Sequence, residues 1–560
     1  MRTIDLKILL IIFVLIVVAL MTVYPLGILV YGSFRSDAPG KVGEFTLDGY
    51  REAFADSTIV KAFWTTFWVG SVRTVLSMAL AIFFCWVIVR TDTPGRGLLE
   101  FLLWINFFLP NLPLTMGWIL ILDPTYGLFN QLLGKLPFVE GPVFNIYSYA
   151  GIILMHIGLG TSTKVLMLAP AFRNMDAAIE EAGAACGSSN IRTLVSVTFP
   201  LLLPAVMGAT LLTFIRSLES FEIEFLLGTP AKIYVYSTKV YDLLRWEPPR
   251  FPPATALSGL FLLSIFMCVF IYRKAIAHRE YTTVTGKGFR TRPIKLGKWK
   301  YLTFIVLILY LSVFTLLPVV TLVLGTFMRI SGMFDLPDPY TLAHWKDVLS
   351  DPVFTGSLMN SIIVASGAAL SGMFLYAIIS YIINRTKVRG RRILEFMSWL
   401  PWAVPGILLA LALLWAVLGT GLLVPLYGTP YILIIAILIK EMPIGVRIMD
   451  GSMVQVHKEL EEAASVAGDS WFGTFRRIMV PLLSPSFITI GVIIFLASMK
   501  EISGIILLYS PNWRVLSILM LENYIAFSPE KGMVVGVIIT FIVIAMALVA
   551  RSFGLKVGKD

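Results

Sequence analysis

Long apolar runs alternate with short polar stretches from one end of this chain to the other. They fall at 8–33, 63–89, 99–122, 148–170, 203–225 and 254–272, and again at 302–327, 359–383, 395–418, 429–448, 482–507 and 533–551. About 20 helical residues at 1.5 Å each cross the hydrocarbon layer. The pattern therefore predicts an all-α polytopic membrane protein of about 12 transmembrane helices, six in each half. The opening run, ILLIIFVLIVVALMTVYPLGILVYGSF, comes after a short basic start. It is too long for the apolar region of a secretory signal and lacks a small-residue cleavage site after it, so it is read as the first helix.

Composition agrees: with 57% hydrophobic and 14% charged residues and a mean hydropathy of +0.84, the chain has more apolar surface than a soluble core of this length hides. Charge then orients it. Between Arg273 and Lys300, nine Lys or Arg residues face the single acid Glu280, and the loop from Arg385 to Arg392 carries five basic residues and no acid. The positive-inside rule puts both stretches, and with them both termini, in the cytoplasm. The net charge of +11 is topological in origin and is not read as a nucleic-acid signature. Cys85, Cys186 and Cys268 suggest neither a disulfide framework nor a paired-cysteine metal site, and are expected to be small buried side chains.

One polar phrase is written twice. Residues 180–204, EEAGAACGSSNIRTLVSVTFPLLLP, align without a gap with 461–485, EEAASVAGDSWFGTFRRIMVPLLSP, at an offset of 281. Phe214 to Pro230 lies over Phe495 to Pro511 at the same offset, and RTDTPGRGLLEF from Arg90 matches RTKVRGRRILEF from Arg385 at 295. The chain is an internal duplication: a first half over 1–275 with the phrase in a loop at 177–204, a basic linker over 276–300, and a second half over 301–560 with its loop at 458–485. Both copies fall on the cytoplasmic side, between the fourth and fifth spans of their half.

Each copy reads as a short helix, a turn and a second helix. Ala177 to Cys186 are good helix formers, and Gly187 suits the left-handed residue that ends a helix; the second copy runs to Ala467 and stops at Gly468, with Asp469 or Ser470 capping its second helix. A lipid-bound interfacial helix would need a basic polar face. Here the polar face is led by Glu180 and Glu181, or Glu461 and Glu462, which anionic lipid repels. The small residues Ala182, Gly183, Ala463 and Ala464 permit the close backbone approach of a helix seated in a protein groove.

Glu462-Ala463-Ala464 followed by Gly468 resembles the EAA signature of permease subunits in bacterial ABC importers, and Ile478-Met479-Val480-Pro481 resembles its downstream element. The first copy departs from the pattern at Gly183 and Phe199. Carrying both halves in one chain is similar to the ferric-iron, thiamine and aminophosphonate permeases. The resemblance implies a type I importer-like fold in the cytoplasmic (inner) membrane of a bacterium or archaeon. It implies two copies of a cytoplasmic ABC ATPase docked at Glu180, Glu181, Ala182, Gly183 and Gly187 and at Glu461, Glu462, Ala463, Ala464 and Gly468, with Glu181 and Glu462 orienting the docking helices. It also implies an extracytoplasmic substrate-binding protein, which would meet the outer loops at 34–62 and 328–358, and alternating access driven by ATP. No phosphate-binding loop of the Gly-x-x-x-x-Gly-Lys type and no catalytic constellation is present, so this chain is expected to be no enzyme and to bind no cofactor itself, with ATP and Mg on the partner subunits.

Ionisable residues within spans are costly and suggest function. The fifth span offers Arg216, Glu219, Glu222 and Glu224 and its counterpart Lys500 and Glu501; the fourth spans offer His156, Lys440 and Glu441. The resemblance places these near a translocation pathway, although the headgroup layer accommodates several of them equally. Lys164 and Arg447 are read as snorkelling to the inner interface. Three glutamates on one helix would suit a hard cation such as ferric iron; ferric iron or an iron chelate is the expected cargo, with thiamine, a polyamine or a phosphonate as the alternatives, and a resident metal is not assigned. The competing reading is a secondary transporter of the major facilitator type, which has two six-span halves but gives no reason for the doubled phrase.

Overall fold

The computed structural model describes residues 6–175, 186–188, 192, 194–277 and 293–552. In chain order its main helices are α1 (Leu6–Gly32), α2 (Ser57–Cys85, continued by a wider turn over Trp86–Arg90), α3 (Arg96–Phe108), α4 (Asn111–Leu122), α5 (Tyr149–Arg173), α6 (Phe199–Leu218) and α7 (Phe251–Ala277). The second half supplies α8 (Trp299–Leu311), α9 (Leu317–Phe327), α10 (Pro352–Arg385), α11 (Arg391–Trp399), α12 (Gly406–Gly419), α13 (Pro430–Gln455), α14 (Glu459–Val466), α15 (Ser484–Lys500), α16 (Leu516–Ile525) and α17 (Pro529–Ser552). Only isolated bridges, no strands, occur among the described residues.

Eight of these helices, or helix runs, are long and apolar enough to cross a membrane, and eleven spans result if each bent pair counts as one. The remaining expected span is α13, 26 residues long and carrying Lys440, Glu441 and Arg447. The third span of each half is bent, by 101° between α3 and α4 and by 116° between the Arg391–Ala403 stretch and α12. Pro110 and Pro405 stand at these breaks, where a missing N–H and a fixed φ end a helix. The fifth spans are shorter than their apolar runs: α6 stops at Leu218 and α15 at Lys500, and the residues after them form turns, with a wide helical turn over Glu224–Gly228.

The contacts group the chain into two compact units that do not coincide with the sequence halves. One unit contains Met1–Ile59, Lys239–Leu262 and Trp345–Asp560. There α10 packs against α13 and α15, and α1 packs against α11 and α12. Small residues on α10 make this possible: Ala365, Ala368, Ala369 and Gly372 are buried, and a side chain at Gly372 would stand 2.5 Å from Ile494. The buried Tyr376 ring covers Gly445 and its hydroxyl donates to Leu438 O at 2.6 Å.

The other unit contains Val60–Thr238 and Leu263–His344. Its core gathers Phe84, Leu99, Leu103, Val165, Phe172, Val206 and Tyr310. Tyr310 stacks edge-on against Phe84 with centroids 4.8 Å apart, and its hydroxyl donates to Gly158 O at 2.9 Å. α4 and α9 approach so closely that a Cβ on Gly117 would lie 2.1 Å from Pro318 O. Backbone cannot yield as a flexible side chain does, so Gly117→Ala is expected to cost about 3 kcal/mol or more. Membrane abundance and thermal melting of the purified variant check this.

Candidate functional site

The repeated phrase is legible in its second copy. α14 spans Glu459–Val466, eight residues and about 12 Å long. Glu459, Glu461 and Glu462 occupy its first turn, where carboxylates complement the positive end of the helix dipole. The helix ends as its glycine predicts: Gly468 takes a φ of +83°, and Asp469 N donates to Ala464 O at 3.0 Å. Of the two expected caps the next turn uses Ser470, whose hydroxyl accepts from Gly473 N at 3.1 Å.

The faces of α14 divide its residues. Ala464 is buried against the protein, whereas Glu462 and Ala463 are exposed, beside Leu460 and a 90% exposed Val466. Phe472, also exposed, extends this apolar margin beyond the turn. Glu461 points inward: its Oε2 accepts from Tyr381 Oη at 3.0 Å and its Oε1 lies 3.2 Å from Arg385 Nε. The two adjacent glutamates therefore have different tasks, one fastening the helix and one facing solvent.

In the first copy, Glu180, Glu181, Ala182 and Gly183 lie outside the described residues. Gly187 is described, and its φ of +81° matches that of Gly468. Beyond it, Leu194–Thr198 forms the same wide helical turn as Phe475–Met479, again 281 positions apart. Cys186 is exposed, contrary to its expected burial, because it sits on the turn beside Gly187; Cys85 is buried and Cys268 half-buried.

The intramembrane charges are not one set. The three glutamates expected on a single helix are not so arranged, because α6 ends at Leu218 and Glu219, Glu222 and Glu224 lie in the break and the turn after it. Glu224 is 1% exposed and lies at the centre of a polar cluster. Its Oε1 accepts from Arg73 Nη1 at 2.5 Å and lies 2.9 Å from His156 Nε2, and Oε2 accepts from the Ser220 hydroxyl. Arg73 Nη1 also meets His156 Nε2, and the Ser220 hydroxyl lies 3.3 Å from it, so three groups converge on one imidazole nitrogen. Arg73 is 4% exposed and comes from α2, His156 from α5, and Ser220 from the break after α6. The cluster thus pins the post-helix segment to two spans.

The other half has its own pin. Lys440 Nζ on α13 lies 3.0 Å from both Glu501 carboxylate oxygens and donates to Ser503 Oγ at 3.1 Å. Glu501 Oε1 also accepts from Gly504 N at 2.7 Å. Glu501 is the residue that the offset of 281 sets against Ser220. In both halves, then, a polar side chain of the fourth span holds the segment after the fifth.

The remaining candidates are placed separately. Arg216 is exposed; Glu219, Glu222 and Lys500 are half-buried; Glu441 is buried. Lys164 does not reach an interface by snorkelling: it is 7% exposed, with Nζ 3.4 Å from Gly160 O one turn back. Arg447 is exposed and lies over the Trp399 ring. No group of three His, Cys, Asp or Glu side chains able to hold a metal occurs among the described residues. Sequence reasoning missed Arg73, although it is the sole charged residue between Lys61 and Arg90 and so carried the usual signal of an intramembrane charge. It also missed Ser220, Ser503 and Tyr381, whose hydroxyls carry no such signal.

Residues 372–555 match the family of binding-protein-dependent transport system inner membrane components. A probable ABC transporter permease protein of Sinorhizobium fredii is 27% identical over 91% of this chain and 90% of its own length. A Haemophilus influenzae permease protein whose name assigns it to a ferric transport system is 30% identical over 66% of this chain. The ferric transport system permease protein of Actinobacillus pleuropneumoniae is 27% identical over 72%. This chain spans 58% of the length of each of these two ferric relatives.

Proposed function

We infer that this chain, whose residues 372–555 belong to the family of binding-protein-dependent inner-membrane transport components, is the fused transmembrane permease of an ATP-driven importer. The observation that carries the inference is the doubled Glu-led phrase, whose second copy builds an exposed helix stopped by a left-handed glycine. A helix of two turns with Glu462 and Ala463 outward, flanked by Leu460, Val466 and Phe472, has the makings of a docking element: an acid for orientation, a small residue for close approach and apolar anchors for affinity.

In this reading two cytoplasmic ATPase subunits bind ATP and Mg and receive the helices at 177–187 and 458–468. Closure of the ATPases draws the docking helices together, the permease turns outward to accept cargo from an extracytoplasmic binding protein, and hydrolysis resets it. Both termini are cytoplasmic, in keeping with the basic stretches at 273–300 and 385–392.

The cargo we propose is ferric iron or a small iron chelate, supported by the names of two relatives. The buried carboxylates of Glu224 and Glu501 are engaged by Arg73 and Lys440, so they hold the permease's shape and selection falls mainly to the binding protein. The test is uptake of radioactive ferric iron by liposomes containing the permease, its ATPase and its loaded binding protein. Uptake that requires internal ATP is expected. Uptake driven by a proton gradient without ATP would move the chain to the secondary transporters, and ATP-driven uptake of thiamine or a phosphonate in place of iron would replace the cargo alone.

A further inference from the structure

An arginine closes the second span of each half in the same way. Arg385 is the last residue of α10, and Arg90 ends the turn that continues α2; the two correspond at the offset of 295. Arg385 Nη2 donates to Met453 O at 2.7 Å and to Val456 O. Arg90, 1% exposed, donates through Nη1 to Met175 O at 3.3 Å. Met175 is the residue that the offset of 281 sets against Val456. Each arginine therefore grips the backbone where the fourth span gives way to the docking phrase.

The bracing extends to the turn around it. Thr91 and Thr386 donate their hydroxyls to Val87 O and Ile382 O at 2.6 and 2.7 Å, and Arg96 and Arg391 donate to Thr91 O and Thr386 O at 2.9 and 3.0 Å. These bonds recur in register, carried by the arginines and threonines that the two matching stretches share. The chemistry explains the choice of residue. The last carbonyls of a helix have no partner within it and form the negative end of its dipole. A guanidinium brings a permanent charge and several donors in a fixed fork, so one side chain satisfies two carbonyls at once.

In the second half the grip reaches the docking helix itself. Arg385 Nε stands 3.2 Å from Glu461 Oε1, an ion pair whose N–H is not aligned on the oxygen, and Tyr381, one turn earlier on α10, donates to Glu461 Oε2 at 3.0 Å. Val456 caps α13 and α14 begins at Glu459, so only His457 and Lys458 separate the gripped carbonyl from the docking helix. In the first half Trp86 stands where Tyr381 stands, an N–H donor in place of an O–H.

We propose that Arg385, and Arg90 at the same place in the first half, are coupling residues: they lock the base of each docking helix to the cytoplasmic ends of the second and fourth spans, so that a displaced docking helix moves these spans instead of bending at its own root. This rests on the importer reading above. The arginines act through position and touch neither ATP nor cargo.

The experiment uses the complete complex of permease, ATPase and binding protein in liposomes, and compares wild type with Arg385→Gln, Arg385→Lys and Glu461→Gln. Three quantities are read: co-elution of the ATPase, ATP hydrolysis, and ferric iron taken up per ATP. Arg385→Gln is expected to keep the ATPase bound and hydrolysing, while uptake per ATP falls about tenfold, within the usual range of coupling factors between sites. Arg385→Lys, which keeps the charge but not the fork, should fall between the two, and Glu461→Gln should lower uptake per ATP by less. A merely structural defect would reduce the protein recovered and leave uptake per ATP unchanged. Unchanged uptake per ATP in Arg385→Gln overturns the proposal, as does loss of the ATPase from that variant, which would make Arg385 a docking residue. If Arg385→Gln does not reach the membrane, Glu461→Gln decides by the same ratio. Absence of the ATPase from the wild-type preparation overturns the importer reading and this proposal with it.

Discussion

If α14 seats in an ATPase groove as proposed, replacing Glu462 with lysine is expected to lower ATP-driven uptake about 30-fold or more, because a charge turned against its partner in a desolvated interface costs about 2–5 kcal/mol. The permease itself should hardly notice. Glu462 is exposed, and α14 keeps Glu459 and Glu461 in its first turn, so the helix loses only the fraction of a kcal/mol that a single carboxylate gives to the dipole. Protein in the membrane should therefore stay within about twofold of wild type, as for most surface changes. Uptake and abundance measured on the same membranes separate the two effects. The neighbouring Glu461→Lys would fail differently: it places a second cation against Arg385 Nε, now 3.2 Å from the carboxylate, and so disturbs the protein's own frame. Normal uptake by Glu462→Lys would remove α14 as the docking element.

The second large effect concerns stability. Glu224→Leu deletes the carboxylate that offsets Arg73, leaving a guanidinium that is 4% exposed among α2, α5 and the segment after α6. Breaking a buried pair from one side costs about 3–5 kcal/mol, whereas replacing both members with apolar groups of similar volume is often neutral. Glu224→Leu alone should melt well below wild type and accumulate poorly. The double variant Arg73→Met/Glu224→Leu should recover most of that loss, with a coupling between the two sites of about 2 kcal/mol or more. Thermal melting of the purified proteins gives the cycle directly. A double variant as unstable as the single one would mean that His156 and Ser220, and not the charge pair, secure the segment.

The spans were legible because hydrocarbon thickness fixes their length, and the six-plus-six pattern comes from that alone. The helix and turn of the second copy of the phrase were legible because helix formers, a left-handed glycine and a serine cap are local signals; Gly468 and Ser470 behave as their chemistry requires. Local signals do not carry the partner of a side chain. Glu461 and Glu462 are indistinguishable in sequence, yet one faces Tyr381 and Arg385 and the other solvent, because helical neighbours stand about 100° apart. The fifth spans misled for a related reason. Hydropathy continues past Leu218 and Lys500, but a segment that satisfies its polar groups through Ser220, Glu224 and Glu501 can leave the helix while still buried. The grouping of α1 with α11 and α12 was invisible for the simplest reason: apolar helices of one kind pack equally well on many neighbours, and shape decides among them.

The central claim is that the repeated phrase is a pair of docking helices for an ABC ATPase. Its most direct test is to purify the chain from membranes in which its genomic neighbours are co-expressed, and to compare it with the double variant Glu181→Lys/Glu462→Lys. The account predicts that an ABC ATPase co-elutes with wild type and is lost from the variant, while both proteins reach the membrane in similar amounts. A wild-type chain that elutes alone and still transports on a proton gradient without ATP would contradict it.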